Sequence, residues 1–299
     1  MPQILTLVAP AGGLSAPLLA RTRDALQALG AAAGTPDWLA PEEAADLPCE
    51  GLAPEQAIAA ARAALGNAPV DAIAQDQEGR RKRLLLADMD STIVTTETLD
   101  ELAAYAGLKD RIAEITRRAM NGELDFRAAL IERVGMLAGL PVSALERTWE
   151  ATAMTAGAAE LVATMRTHGA HCALVSGGFT FFTGRVAERL GFHAHYSNTL
   201  LVRDGKLTGQ VGEPILDKDA KLATLKRLAA ELSLPLSATL TVGDGANDLP
   251  MLQAAGLGVA FRAKPVVAAA ARARVDHADL RALLFAQGYR AAEILTHRA

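Results

Sequence analysis

The 299-residue chain has few aromatic side chains and almost no cysteine. Trp, Tyr and Phe together make up 4% of it, and Cys49 and Cys172 are its two cysteines. The cysteines are far apart and fit no metal or redox spacing, which excludes a disulfide framework and favours a reducing compartment such as the cytoplasm. With so few aromatic residues, the core should be built mainly from aliphatic side chains.

Long apolar runs and positive net charge are also lacking. No uninterrupted apolar stretch reaches the roughly 18 residues of a membrane-spanning helix. The formal net charge of −4 gives no general attraction to nucleic acid or to anionic membranes, so we expect neither as a partner. The composition, 51% hydrophobic and 21% charged, is that of a folded protein, and the length suggests two domains.

The first 76 residues predict a small α+β domain. Its elements are a strand at 3–9, a helix at 15–30, a weak strand at 36–47, a helix at 53–66 and a strand at 70–76. No catalytic constellation is visible in it. A polar linker at 77–83 follows, and its basic residues 80–83 lack interleaved aromatics, so a solvated linker is favoured over a nucleic-acid contact.

Residues 84–299 predict a doubly wound α/β domain with a Rossmann-like parallel sheet. "LLLA" at 84–87 is a continuous apolar run of the kind found in buried parallel strands. A helix-rich segment at about 97–155 is inserted after this strand. The elements beyond it are strands at 171–176, 238–244 and 257–261, helices at 178–191, 218–233 and 247–256, and a hairpin at 198–211 that turns at Asp204-Gly205.

Polar clusters follow the predicted strands of this domain, where an open parallel sheet places its ligand crevice. They are "DMDST" (88–92), "SGG" (176–178), and "GDGAND" (243–248), and the predicted helix at 218–233 can bring Lys221 to join them. Four aspartates brought together, Asp88, Asp90, Asp244 and Asp248, would repel one another. A hard cation such as Mg²⁺ resolves that repulsion and also accepts phosphate oxygens.

The remaining groups suit phosphoryl transfer. Ser176 and the following glycine backbone offer donors to phosphate oxygens, and Lys221 supplies a compact positive charge. Of two aspartates at i and i+2, one can attack phosphorus and the other can protonate the leaving oxygen and later deprotonate water.

These four motifs, in this order, resemble the haloacid-dehalogenase-like phosphatases, whose pattern is DxDx[TV], then Ser/Thr, then Lys, then GDxxxD. Within that superfamily the sequence is similar to the phosphoserine phosphatases, which share the "ADMDST", "SGGF" and "GDGAND" forms and a small helical cap after the first strand. The resemblance covers about residues 84–265. The N-terminal unit resembles ACT-like regulatory domains in its element order, and no effector site is inferred there.

The resemblance implies a role for each matching residue. Asp88 would be the nucleophile and Asp90 the general acid and base. The Mg²⁺ ligands would be Asp88, the backbone carbonyl of Asp90 and Asp244, with Asp248 supporting them. Phosphate would be bound by Ser176, Gly177 and Lys221, with Asn247 nearby. Glu97 would recognise the ammonium group of phosphoserine, Arg133 its carboxylate, and Phe126 would be an apolar cap residue.

Several alternatives stay open from the sequence. "GDGAND" and "SGG" each occur in ordinary turns, and Lys218 competes with Lys221, which only the family spacing favours. The substrate could be another small phosphomonoester such as homoserine phosphate. A phospho-accepting signalling module or an inactive, binding-only relative would use similar residues. His193 and His195 are interpreted as structural. The metal could be Mn²⁺, and the oligomeric state is open, a homodimer included.

Overall fold

A computed structural model of the protein describes residues 3–295, except for the side chain of Lys218. The outermost residues of the two predicted domains, 1–2 and 296–299, and the Lys218 side chain therefore lie outside the description. No helix within 3–295 is both long enough and apolar enough to cross a bilayer. The strands are β1 (Gln3–Val8), β2 (Ala32–Ala33), β3 (Asp37–Ala40), β4 (Ala44–Glu50), β5 (Asp71–Asp76), β6 (Leu84–Ala87), β7 (His171–Phe179), β8 (Ala194–Asn198), β9 (Leu200–Arg203), β10 (Lys206–Val211), β11 (Thr239–Gly243), β12 (Leu257–Phe261) and β13 (Ala273–Val275).

The α-helices of the described residues connect these strands, and five of them follow one another between β6 and β7. They are α1 (Ala16–Ala28), α2 (Pro54–Leu65), α3 (Thr98–Ala104), α4 (Lys109–Met120), α5 (Phe126–Gly135), α6 (Ser143–Ala151), α7 (Ala158–Thr167), α8 (Thr180–Leu190), α9 (Lys218–Glu231), α10 (Leu249–Ala254), α11 (Pro265–Ala270) and α12 (Ala282–Ala286). The predicted α/β class is confirmed.

The N-terminal domain is an antiparallel sheet with two helices on one face. The strands lie in the order β2-β4-β1-β5, and β3 also pairs with β4. Alternation along β1 sends Leu5 and Leu7 to the helices and Val8 to the opposite face, which packs against the rest of the chain. The predicted strand at 36–47 is in fact two strands, because Glu42, with φ of 57°, turns the chain between β3 and β4.

The C-terminal domain is built on a six-stranded parallel sheet in the order β13-β12-β11-β6-β7-β8. β6 lies in the middle, with its four residues fully buried. Leu84 and Leu86 pack on the side of α9 and α10, whereas Leu85 and Ala87 pack on the side of α7 and α12. The chain extends the sheet first on one side of β6 and then on the other, which is the doubly wound topology that the sequence predicts.

Helices α3–α6 form the inserted cap. Its two connections to the sheet run side by side, since the Thr95 N–H donates to the Ala153 carbonyl at 3.0 Å and the Thr155 N–H to the Ile93 carbonyl at 2.9 Å. The β9–β10 hairpin turns at Asp204-Gly205 as predicted, with φ of 51° and 70°. Its contact with the cap was not predicted: the Gly139 N–H donates to the Leu207 carbonyl at 2.8 Å.

The basic segment 80–83 is only partly the solvated linker that its composition suggests: Arg81 and Arg83 are exposed, but Arg80 and Lys82 are not. Arg80 forms a 2.6 Å ion pair with Asp46, and both side chains are at most 15% exposed. Lys82 is buried, and its ammonium donates to the Gly79 and Ser237 carbonyls at 2.9 Å each. The partners of Arg80 and Lys82 are either far away in the sequence or backbone carbonyls. Counting the charges within the segment could therefore not reveal them.

Candidate active site

The strand β6 delivers two aspartates to the carboxyl edge of the sheet. Asp88 continues the strand, and its N–H donates to the Val242 carbonyl at 2.9 Å on the neighbouring strand. The chain then turns sharply, with Ser91 at φ of 56°. This turn brings the Asp90 carboxylate to the start of α3, where it accepts a 2.9 Å hydrogen bond from the Thr98 N–H. Backbone hydrogen bonds thereby fix the main chain at Asp88 and the carboxylate of Asp90.

Lys221 and Asp248 form the buried floor of the site. The Lys221 side chain is fully buried, and its Nζ lies 2.7 Å from Asp88 Oδ1 and 2.5 Å from Asp248 Oδ1. The other oxygen of Asp248 accepts from the N–H groups of Asp244 and Gly245 at 3.1 and 3.0 Å. Lys221, which the family spacing favours, thus links the end of β6 to the loop after β11.

The Ser176–Gly178 segment closes a second side of the site. Ser176 is buried, accepts a 2.8 Å hydrogen bond from the Gly178 N–H, and its Oγ lies 3.5 Å from Asp90 Oδ2. The glycines are required for space: a Cβ at Gly178 would lie 2.7 Å from Asp90 Oδ2. A Cβ at Gly177 would overlap the Phe126 ring.

The cap contributes Glu97, Phe126 and Arg133 to the same cavity, together with Leu99, Met120 and Leu130. Glu97 Oε1 accepts a 2.7 Å hydrogen bond from the Ser91 hydroxyl. Arg133 is 3% exposed, although it carries a full charge. The Phe126 ring of the cap lies directly against Gly177, so the cap covers the aspartates at the sheet edge.

Burial and mutual repulsion raise the pKa of three carboxyls at the site, those of Asp88, Asp90 and Asp244. Burial, with repulsion from Glu97, raises the pKa of Asp90 to about 7. Burial, followed by repulsion from Glu97 and Asp248, raises the pKa of Asp244 to about 8. The pKa of Asp88 is also raised well above its usual range by burial and by Asp248, against the opposing effect of Lys221. For Lys221, burial opposes the charged form, but Asp248 and Asp88 outweigh it and raise its pKa.

The residues at the sheet edge suit a hard divalent cation. One carboxylate oxygen from each of Asp88, Asp244 and Asp248 lies within 4.8 Å of the others. Asp244 Oδ2 is buried and accepts no hydrogen bond from any group within residues 3–295, and its one neighbouring cation there, the Lys264 ammonium, lies 3.4 Å away without bonding to it. An oxygen left in this state is costly unless a cation or water meets it. The donor set is all oxygen, as Mg²⁺ prefers.

The histidines have structural surroundings, as interpreted from the sequence. His193 Nδ1 accepts a 3.0 Å hydrogen bond from the Cys172 N–H, and its ring stacks on His171. His195 bonds to the Thr183 hydroxyl at 3.0 Å. In the described part of the chain, the aspartate cluster is the group with metal-binding geometry.

Sequence reasoning missed two polar groups at the site. Lys264 lies just beyond β12, with its Nζ 3.4 Å from Asp244 Oδ2. The rule that ligands gather at strand ends could have found it. Asn198 holds the Ser176–Gly178 segment, since its Nδ2 donates to the Gly177 carbonyl at 2.9 Å. No local pattern marks Asn198, because its partner is 21 residues away.

The chain belongs to the haloacid dehalogenase-like hydrolase family, whose model matches residues 85–253. Among curated proteins, it is 48% identical to the phosphoserine phosphatase of Streptococcus thermophilus over 67% of this chain and 93% of that protein. It is 43% identical to the phosphoserine phosphatase of Streptomyces coelicolor over 80% of this chain, but spans only 58% of that longer protein. A solved structure described as a phospho-aspartyl intermediate analogue of phosphoserine phosphatase is also similar, with a TM-score of 0.66, 40% identity, and coverage of 69% of this chain and 98% of that one.

Proposed function

We propose that the protein hydrolyses O-phospho-L-serine to L-serine and phosphate through an aspartyl-phosphate on Asp88, with Mg²⁺ as its cofactor. The observation that carries this proposal is the convergence of two groups of residues on one cavity beneath the cap. Asp88, Asp90 and Ser176 suit the phosphoryl group, while Glu97 and Arg133 suit the ammonium and carboxylate of an amino acid. The relatives named phosphoserine phosphatase support the same substrate.

Asp88 is the proposed nucleophile. Lys221 contacts its Oδ1 at 2.7 Å and holds one oxygen, which leaves the other to attack phosphorus. In the first step the Asp88–phosphorus bond forms and the bond from phosphorus to the serine oxygen breaks. A bound Mg²⁺, held by Asp88, Asp244 and the Asp90 carbonyl with Asp248 behind them, would neutralise phosphate charge.

Asp90 is the proposed general acid and base. Its raised pKa, about 7, lets it carry a proton at neutral pH and give it to the departing serine oxygen. The resulting carboxylate then takes a proton from the water that attacks the aspartyl-phosphate, which releases phosphate and regenerates Asp88. The hydroxyl of Ser176, the Gly177 backbone and Asn247 line the cavity where the phosphoryl oxygens would lie.

The cap supplies selection and exclusion of water. Phe126 packs on Gly177 and closes the cavity from the cap side. Glu97 and Arg133 carry opposite charges. They would bind the ammonium and the carboxylate of one small substrate. Such an enzyme would act in serine biosynthesis, and the two buried free thiols accord with the cytoplasm.

A phosphate-release assay on a panel of phosphomonoesters, with and without Mg²⁺, tests the proposal. We expect phosphoserine to have the highest kcat/KM, removal of Mg²⁺ to abolish turnover, and Asp88→Asn to be inactive but folded. Thermal unfolding of the variant controls for stability. A higher kcat/KM for O-phosphohomoserine would overturn the substrate assignment, and an active Asp88→Asn enzyme would overturn the nucleophile.

A further inference from the structure

The Arg133 guanidinium is held by a hydrogen-bond relay that spans three helices of the cap. Its Nε donates to the Ala129 carbonyl at 3.1 Å, within α5. Its Nη1 donates to the Thr116 hydroxyl on α4 at 2.8 Å. Within residues 3–295, Nη2 donates no hydrogen bond, although Arg133 lines the cavity. The side chain is therefore anchored on one edge and has donors left over.

The Thr116 hydroxyl is itself oriented by a buried carboxylate. Its Oγ lies 2.6 Å from Asp100 Oδ1 on α3, and 3.1 Å from the Ile112 carbonyl. A hydroxyl has one proton to donate, and the shorter, charged acceptor is the stronger partner. With the proton directed at Asp100, a lone pair of the oxygen is available to Arg133. Asp100 and Thr116 are both buried, so water does not compete for these positions.

Asp100 acts on Arg133 without pairing with it directly. The described residues place no carboxylate oxygen within 4.0 Å of the guanidinium, yet Asp100 is the carboxylate that most favours its charged form. A direct fork-to-fork ion pair would occupy two donors and compete with a substrate carboxylate. A single hydroxyl between the two charges occupies one donor and leaves the outer edge of the fork free.

From this geometry we infer that Thr116 and Asp100 are positioning residues for substrate specificity. They set the angle at which Arg133 presents its free donors to the carboxylate of the substrate. The inference rests on the proposed function, because it needs Arg133 to bind that carboxylate. It predicts a defect in recognition of the carboxylate and leaves phosphoryl transfer intact, since neither residue touches the aspartates at the sheet edge.

A merely structural role would have a different consequence. If Thr116 only tied α4 to its neighbours, its loss would loosen the whole cap and slow every substrate alike. The chain offers a matched control for this case in Thr148, a buried threonine of α6 whose hydroxyl donates to the Ala144 carbonyl at 2.9 Å. Thr148 lies in the same cap and does not line the cavity.

The experiment compares Thr116→Val, Thr116→Ser and Thr148→Val in the full chain with Mg²⁺. The substrates are phosphoserine and phosphoethanolamine, which keeps the ammonium and phosphate but lacks the carboxylate. We expect Thr116→Val to raise KM for phosphoserine about tenfold at nearly constant kcat, and to leave phosphoethanolamine kinetics unchanged. Thr116→Ser should restore the wild-type KM, and Thr148→Val should affect neither substrate.

Further variants complete the test. Asp100→Asn keeps an oxygen acceptor but removes the charge, so it should raise KM for phosphoserine by less than Thr116→Val does. If Thr116→Val does not fold, Asp100→Asn takes its place in the test. Arg133→Ala gives the upper limit of the effect. An unchanged KM in Thr116→Val, or equal losses on both substrates, would refute the inference. A wild-type enzyme that ignores phosphoserine would instead refute the proposed function.

Discussion

The Asp90 carboxyl shows how one residue acquires its chemistry from its surroundings. One of its oxygens is bound by the Thr98 N–H at 2.9 Å, which favours the ionised form. Burial and the nearby charge of Glu97 are stronger and raise its pKa to about 7. The result is an acid that is still protonated near neutral pH, where a free aspartate would not be.

We expect this pKa to set the alkaline limb of the pH profile. Phosphoserine needs the proton for its poor leaving group, so its kcat/KM should fall as the pH rises above about 7 and Asp90 ionises. An aryl phosphate with an acidic phenol leaves without that proton, and its profile should decline less on the alkaline side. Parallel profiles for the two substrates, measured with saturating Mg²⁺, would show that Asp90 is not the acid.

At the scale of elements, the site depends on how β7 passes into α8. Ser176-Gly177-Gly178 lies near the end of the strand, and each glycine meets a group from elsewhere: Phe126 from the cap and Asp90 from the loop after β6. The missing side chains let the Phe126 ring, the Asp90 carboxyl and the Ser176 hydroxyl approach within contact distance. The strand order brings the ends of β6, β7 and β11 together at one edge of the sheet, and the glycines leave room for the side chains that meet there.

Gly178→Ala should therefore reduce kcat strongly. The new methyl would lie 2.7 Å from Asp90 Oδ2 and 3.0 Å from Ser176 Oγ, so one of these groups must move. A displacement of about 1 Å costs on the order of 100-fold in rate. Gly184→Ala, six residues along in α8, is the matched control, since its nearest neighbour is 3.6 Å away. It should keep full activity and be stabilising by up to about 1 kcal/mol; equal activity in both variants would contradict the prediction.

The main elements and the clustered aspartates were predictable because their signals are local. A buried apolar run followed by polar residues marks β6 and Asp88, and the strand-end rule then brings Asp244 to the same edge. The relay from Arg133 through Thr116 to Asp100 was not predictable, because it joins residues 16 and 17 positions apart on three different helices. The burial of Lys82 was missed for the same reason: its acceptor Ser237 is 155 residues away.

At the scale of the whole molecule, the N-terminal and C-terminal domains are joined by a shared apolar core and by a buried set of hydrogen bonds. Val8, Leu39 and Ile73 of the N-terminal sheet belong to the same apolar cluster as Leu85 of β6. At the start of β5, the buried Asp71 carboxylate accepts hydrogen bonds of 2.8–3.3 Å from three successive N–H groups, those of residues 276–278. The domains should consequently unfold together.

Asp71→Asn should lower the stability of the whole chain by about 2 kcal/mol, because an amide group would meet backbone N–H donors that need an acceptor. Differential scanning calorimetry should show one transition shifted to lower temperature. Asp37→Asn is the control: its ion pair with Arg290 also joins distant segments, but both side chains are more than half exposed. It should change stability by less than about 0.5 kcal/mol. Two separate transitions, or equal shifts in both variants, would argue against a shared unfolding unit.

The closed cavity beneath Phe126 has a consequence for the cell's other phosphate esters. A free phosphorylated amino acid ends at its ammonium and carboxylate, whereas a phosphorylated serine within a polypeptide continues in both directions. Phe126 of the cap lies directly against Gly177, so a polypeptide that continued on both sides of the phosphoserine would hold the Phe126 ring off Gly177 and keep the cap from closing. The enzyme would thus spare phosphorylated proteins by a limit on size, without reading their sequences, and could be abundant without erasing the signals they carry.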